Sequence, residues 1–398
     1  MIPFSPPTIA SEDIDAVVNV LRSGWITSGP VARGFEADLT AYCGAGGAVV
    51  LNSATAGLEL ALRAVGVGPG DEVVVPAYTY TASAAVVRHV GAELVLVDSA
   101  TDDVFPSVEA YLSAVTDRTR AVVVVDIAGV PVDVRPLLVA LKGRGARDGG
   151  LTEALDRPVV IADGAHSLGG ALEGTRTGAL ADLTAFSFHA VKNLTTSEGG
   201  ALLWRNDLPY DLAELERAIR LESLHGQSKD ALSKITGSSW EYDIVTLGHK
   251  LNMPDVLAAI GRSQLARYDS MIARRRKILA IYRAALEPLG VRFLAHDSAF
   301  SASSHHLAIA RMPIAGADER NTLFHLMRDR GVATNVHYKP LPMFTAYRAL
   351  GFDIADFPNA FDYYSTELTL PLHLELSDLD VEIVVSALAD SLKDLVAS

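Results

Sequence analysis

Short runs of valine, leucine and isoleucine recur through the first half of the chain, each closed by a small or polar residue. Residues 48–51, 71–76, 92–97, 121–125 and 158–163 are largely apolar and lack the alternation of a half-exposed strand. They read as short strands buried on both faces. Between them apolar residues return at helical spacing. Residues 11–21 place Ile14, Val17, Val18 and Leu21 on one side, with Ser11 as the expected N-cap. Residues 35–42, 58–65, the segment from Ala82 through Val87, and 108–115 form further helices. Strands alternating with helices predict a mostly parallel sheet covered on both sides, with ligands at the carboxyl ends of the strands.

The second half has a different texture. From Pro254 to Leu286 the positions Val256, Leu257, Ile260, Leu265, Tyr268, Ile272, Ile278, Leu279 and Tyr282 keep a helical period, predicting one long helix or a pair. Arg274-Arg-Arg-Lys277 within it reads as a solvated basic face. A strand over 307–311, a helix over 319–330, a proline-rich segment over 337–342 and a closing helix over 378–395 complete an α+β region. The expected division is a large domain over 1–255 and a smaller C-terminal domain over 256–398, as suits a chain of 398 residues. The glycine-rich stretch over 143–150 reads as a surface loop.

Composition narrows the partners. A formal charge of −14 argues against nucleic acid, whose phosphates need a basic surface. The one cysteine, Cys43, removes any disulfide framework or cysteine-rich metal site. No leader pattern opens the chain and no apolar run reaches membrane-spanning length, so a soluble cytoplasmic protein without a membrane partner is expected. A metal is not expected either: the adjacent His305 and His306 diverge if the segment is extended, and no carboxylates complete a set. Gly44-Ala-Gly-Gly-Ala-Val49 precedes its strand and lacks the third glycine of a dinucleotide loop.

The candidate chemistry lies at strand ends. Lys192 sits among Val191, Asn193 and Leu194, whereas Lys142, Lys229, Lys277 and Lys393 have polar or charged neighbours. Burial favours the neutral amine, which can attack an aldehyde. Asp163 ends an apolar strand, and His166 follows it by three residues. An amine, an acid and small-residue turns are what pyridoxal 5'-phosphate (PLP) needs: a Schiff-base partner, a partner for the pyridinium nitrogen and a phosphate seat. Asn52-Ser-Ala-Thr-Ala-Gly57, between a strand and a helix, offers such a seat, although Ser53 also suits a plain N-cap. Tyr80 offers a stacking face, or simple core packing.

These motifs, in this order, resemble the DegT/StrS-like sugar-nucleotide aminotransferases, which are fold-type I PLP-dependent enzymes. The resemblance rests on Gly24-Trp-Ile-Thr-Ser-Gly-Pro30, Asn52-Ser-Ala-Thr-Ala56, Pro76-Ala-Tyr-Thr-Tyr80, Asp163-Gly-Ala-His166 and Ser187-Phe-His-Ala-Val-Lys192 with Glu198-Gly-Gly200. Gly248-His-Lys-Leu-Asn-Met-Pro-Asp255 and Val336-His-Tyr-Lys-Pro-Leu341 continue it. It implies that Lys192 is the Schiff-base lysine and acid/base, that Asp163 pairs with the pyridinium, that His166 faces the ring oxygen and that Tyr80 stacks on the ring. Ala54, Thr55 and Ser187 would hold the phosphate, and His337 would contact the sugar nucleotide. Lys250 would reach the phosphate of a neighbouring subunit's cofactor, in a homodimer with shared sites.

The chain departs from the family pattern at His249 and Leu251, at Asp126 where histidine is frequent, and at Ala162 where an acid often stands. Retention of Lys192 argues against the family's dehydratase branch, and Phe188-His-Ala-Val-Lys192 resembles members that aminate C4 more than those that aminate C3. The expected activity is transfer of an amino group from glutamate to a nucleotide-linked keto-deoxysugar. A C3-specific, cyclitol or aminobenzoate-type transaminase and a non-catalytic PLP-binding regulator are the alternatives.

Overall fold

The structure, a computed structural model, describes residues 1–144, 150–228 and 241–397. Seven strands form its main sheet: Gly47–Leu51 (β1), Glu72–Pro76 (β2), Glu93–Val97 (β3), Thr119–Val125 (β4), Val159–Asp163 (β5), Leu183–Ser187 (β6) and Gly200–Trp204 (β7). Their spatial order is β1-β7-β6-β5-β4-β2-β3. The pairs from β3 across to β6 are parallel, whereas β7 runs antiparallel to both β6 and β1.

The valine runs explain the layering. Side chains alternate between the faces of a strand. Val73, Val75, Val123, Val125 and Ile161 join Leu58, Leu60, Ala84 and Val87 from helices Ala54–Ala64 and Thr81–His89 in one buried cluster. Val74, Val122, Val124 and Val160 enter another with Tyr111, Leu137 and Leu141. Each strand is therefore apolar on both faces, which is why the alternation is missing. A charge placed at any of these valines would be buried without a partner, among the most damaging of single changes.

A second, three-stranded antiparallel sheet joins Arg292–Phe293, Ala308–Arg311 and Glu367–Leu370. Leu323 and Met327 from helix Ala317–Asp329, and Val381, Val384 and Leu388 from helix Asp378–Ala397, pack with Leu368 and Leu370 in its core. The long helical pattern resolves into a pair, Asp255–Leu265 and Tyr268–Leu286. The amino terminus reaches this part of the molecule: Ile2 pairs with Val332, and Phe4 stacks on His337.

Three expectations are corrected. Ser11 is not the cap of its helix; Ala10 holds that place, and Asp13 one turn on accepts the Ala10 N–H at 3.0 Å. The basic run is not wholly solvated, because Arg275 is buried and donates to the carbonyls of Leu372 at 2.6 Å and His306 at 3.3 Å. Its long side chain satisfies carbonyls that packing has cut off from water. His305 is not in an extended strand but has a left-handed φ of 51°. Lys229 and residues 145–149 of the glycine-rich loop lie outside the described residues. Among the described residues no group of histidine, cysteine and carboxylate side chains could hold a metal ion, and no helix is long and apolar enough to cross a membrane.

Candidate active site

The carboxyl ends of the parallel strands open into a cavity of about 780 Å³. Ser53, Tyr80, Asp163, Ser187 and Lys192 line it together although the chain separates them widely. The reversal of β7 is what brings the lysine there. Because β6 and β7 are antiparallel neighbours, the loop 188–199 begins and ends at the same sheet edge and must lie over it. The loop is pinned from within and from outside: Thr196 N–H donates to the Phe188 carbonyl at 2.9 Å, and Thr195 N–H to Gln264 Oε1 at 3.0 Å. Next to the lysine, Asn193 Nδ2 donates to the Ser304 carbonyl at 2.8 Å. The Lys192 amine is pushed down to about 8 by burial, which the Asp163 carboxylate only partly opposes. A fraction of it is neutral near pH 7, as nucleophilic attack requires.

Asp163 is buried at the end of β5. Its carboxylate accepts the Ser83 hydroxyl at 2.6 Å and the Ala165 N–H at 3.1 Å. Burial raises its pKa, against these two hydrogen bonds and the Lys192 charge. It forms no ion pair among the described residues, so its orientation is fixed while its charge stays open to a cationic ligand. Nothing in the sequence marks Ser83. It belongs to helix Thr81–His89 and is itself met by Thr79 at 2.9 Å.

The start of helix Ala54–Ala64 faces the cavity with the makings of an anion site. Ser53 is an N-cap, accepting the Ala56 N–H at 3.1 Å, and it also lines the cavity. The first-turn N–H groups of Ala54 and Thr55 have no intrahelical acceptors and lie at the positive helix end. Gly200 lets β7 come close: a Cβ there would stand 2.3 Å from the Ser53 carbonyl carbon. Ser187 lines the cavity as well.

The remaining candidates are placed unevenly. Tyr80 lines the cavity and is 60% exposed. His166 also lines it, but both ring nitrogens are engaged within the protein. Nδ1 accepts the Ala128 N–H at 3.2 Å, which leaves Nε2–H to donate to the Tyr338 hydroxyl at 3.0 Å. His337 lines the cavity too, whereas Lys250 does not, its amine 2.6 Å from Asn252 Oδ1. Sequence reasoning missed Tyr338 and Asn193 as site residues. Only the proline-rich segment points toward the first, and adjacency to Lys192 toward the second.

An aldehyde, a protonated pyridine nitrogen and a phosphate fit this set: Lys192, the buried Asp163 and the Ser53–Gly200 cradle. The residues present suit PLP.

Comparison with known proteins agrees. The model of the DegT/DnrJ/EryC1/StrS aminotransferase family matches residues 7–389. The spore coat polysaccharide biosynthesis protein SpsC of Bacillus subtilis is 36% identical over 396 residues, covering 98% of this chain and 97% of SpsC. Spr1654 of Streptococcus pneumoniae, assigned as a sugar aminotransferase, matches in its PMP form with a TM-score of 0.96 and 43% identity, covering 99% of this chain and 100% of that one. Its PLP form gives 0.95 and 42%, covering 99% of each. Helicobacter pylori PseC, an aminotransferase involved in the biosynthesis of pseudoaminic acid, gives 0.85 at 26% identity over 99% of each chain. With the fold of PLP-dependent aminotransferases and the motifs of its site in place, this chain belongs to the DegT/DnrJ/EryC1/StrS aminotransferase family.

Proposed function

We propose that the protein transfers an amino group from L-glutamate to a nucleotide-linked keto-deoxysugar, at C4, with PLP as carrier. The observation that carries this reading is the Lys192 amine, lowered to about 8, sharing a cavity of about 780 Å³ with a buried Asp163 that has no ion pair among the described residues. That volume falls within the range of small-molecule sites and accommodates a cofactor with a large second substrate. Relatives named for sugar amination and for polysaccharide biosynthesis support the sugar class. The C4 assignment rests on the resemblance of Phe188-His-Ala-Val-Lys192.

Bound there, PLP supplies an electron sink at the substrate's Cα and a temporary seat for the amine. The chain does the rest. Lys192 Nζ takes and returns the proton that moves at Cα, a task suited to an amine titrating near the working pH. Asp163, oriented by Ser83 and Ala165, favours a proton on the ring nitrogen. Ser53, Ala54, Thr55 and Ser187 bind the phosphate, and His337 orients the sugar.

The working unit in this proposal is a homodimer in which Lys250 of one subunit serves the other's phosphate. Its position away from its own cavity supports this, as do the exposed Tyr242, Ile244, Val245 and Leu247 on the preceding segment. Mixing inactive Lys192→Ala with inactive Lys250→Ala protein should restore activity through one intact shared site; continued inactivity of the mixed dimers argues against sharing.

The decisive experiment is the visible spectrum of the purified holoenzyme before and after glutamate. A band from lysine-linked PLP that converts to the amine-loaded cofactor is expected, followed by reversal with a 4-keto-sugar nucleotide. A band that ignores every amino acid overturns the transaminase reading.

A further inference from the structure

Glu367 has no exposed surface and lies outside the cavity lining, yet it is bound to a residue that lines it. One carboxylate oxygen accepts the His337 backbone N–H at 2.9 Å, and the other accepts the Thr369 hydroxyl. Thr369 Oγ1 is in turn 2.9 Å from His337 Nδ1. The backbones hold this register independently, since Asn335 and Thr369 exchange both main-chain hydrogen bonds, at 3.1 and 2.8 Å. Phe4 stacks on the imidazole with centroids 5.5 Å apart. Asn335 Nδ2 donates to Nε2 across a long 3.4 Å, and both residues line the cavity.

A hydroxyl has a single proton to donate, so the chain Glu367–Thr369–His337 has two consistent states. With Glu367 ionised, Thr369 donates to it, Nδ1–H donates to Thr369, and the Nε2 lone pair faces the cavity, met within the protein by the long 3.4 Å contact from the Asn335 NH₂. With Glu367 protonated, its O–H donates to Thr369, which donates to Nδ1, the ring proton moves to Nε2, and the Asn335 NH₂, which cannot accept it, gives up its 3.4 Å contact and turns away. The imidazole stays neutral in both, because burial and the Lys192 charge hold His337 down at about 3.

We propose that Glu367 and Thr369 are positioning residues that set the hydrogen-bond polarity of His337 toward the substrate. His337 then accepts from a sugar hydroxyl in one state and donates to a carbonyl or phosphate oxygen in the other. The substrate half of this statement rests on reading the cavity as a keto-sugar site; the tautomer half does not. Both states are within reach, since burial lifts Glu367 to about 8 against its hydrogen bonds from Thr369 and His337 and the charge of Arg320. The other groups facing it are the phenols of Tyr78, Tyr338 and Tyr363, all pushed up by burial and protonated throughout this range. Arg320 donates to the carbonyls of Tyr364 at 2.9 Å and Glu367 at 3.2 Å. Lys192 titrates nearby in the cofactor-free protein, so the test uses the holoenzyme, where that amine is engaged.

The experiment is ¹⁵N NMR of histidine-labelled holoenzyme, with the His337 signals assigned through His337→Asn, well below and well above the Glu367 titration. The wild type should pass from the Nε2–H to the Nδ1–H tautomer as pH rises. Glu367→Gln should stay Nε2–H at both, because its carbonyl must face the His337 N–H and its NH₂ must then donate to Thr369. Thr369→Val should abolish the pH response. One tautomer at both pH values in the wild type, or a response that survives Thr369→Val, overturns the relay. For the substrate half, Glu367→Gln should change the sugar-acceptor KM by about tenfold above the Glu367 titration, worth about 1.4 kcal/mol, with a smaller change in kcat. An unmoved KM overturns that half. If the wild type aminates no keto-sugar at all, the functional reading fails, while the tautomers seen by NMR still decide the relay.

Discussion

The two edges of the main sheet treat buried charge in opposite ways. At the amino edge every buried acid of the set has a cation of its own. Arg157 grips Asp182 with two hydrogen bonds of 2.6 and 2.8 Å, and the Val160 N–H adds a third at 2.8 Å. Glu72 is paired with Arg118, and Asp71 with Arg120 at 3.5 Å. At the carboxyl edge Asp126 and Asp163 are buried, Lys192 is half-buried, and none of the three forms an ion pair among the described residues. Asp126 is pushed up to about 7 by burial despite bonds from Ser167 and Val132, and Lys192 is pushed down to about 8. Burying charge without a partner is costly, so it persists where a ligand supplies the partner. The amino edge is closed electrostatically, and the carboxyl edge is left open for a cofactor.

That contrast can be broken by experiment, and the largest effect is expected at the lysine. Lys192→Ala should reduce turnover by about 10⁴-fold, since proton transfer by a positioned group contributes up to that factor. Near-normal kcat in the variant would remove Lys192 from the chemistry. Asp182→Ala should instead unfold the protein more easily, by about 3–5 kcal/mol in chemical denaturation, because it leaves Arg157 buried and unpaired. Its turnover per folded molecule should persist; a folded but inactive Asp182→Ala protein would show that the two edges are not separable. Asp163→Asn keeps the shape and removes the charge, so kcat should fall about a hundredfold while the melting temperature holds or rises.

The smallest expected effect is also the most discriminating. In cofactor-free protein, Lys192→Met should raise stability by on the order of 2 kcal/mol at neutral pH. The sign follows from the amine's lower pKa in the folded state, about 8 against an ordinary 10.5. Below pH 8 the native protein bears the full penalty of a buried cation. Between 8 and 10.5 the native amine loses its proton before the unfolded one does, so the advantage of methionine fades. Denaturation curves across that range test it; an advantage that grows with pH contradicts an electrostatic origin.

Much of the fold was legible because burial leaves a local mark. Val73, Val74 and Val75 told of a strand covered on both faces, and the break at Ala266 and Arg267 was already allowed for by a helix pair. Lys192 and Asp163 stood out for a related reason, as polar residues where the pattern calls for apolar ones. Other features left no such mark. Ser83 looks like any helix serine, and its bond to Asp163 spans 80 residues. Arg275 looked solvated because its neighbours Arg274 and Arg276 are also basic, and only packing against His306 and Leu372 buries it.

From the sequence alone came the alternation of strands and helices, the apolar setting of Lys192 and the strand-end acid, because each depends on neighbours along the chain. Tertiary structure alone decided which edge keeps its charges unpaired. It decided that β7 reverses and so lays the lysine loop over that edge. It also made His166 a ligand of Ala128 and Tyr338, and set Glu367 behind His337. These outcomes depend on which segments meet across space. A hydrogen bond or an unpaired charge is a property of a meeting place, and periodicity records only that a residue is buried, not what it is buried against.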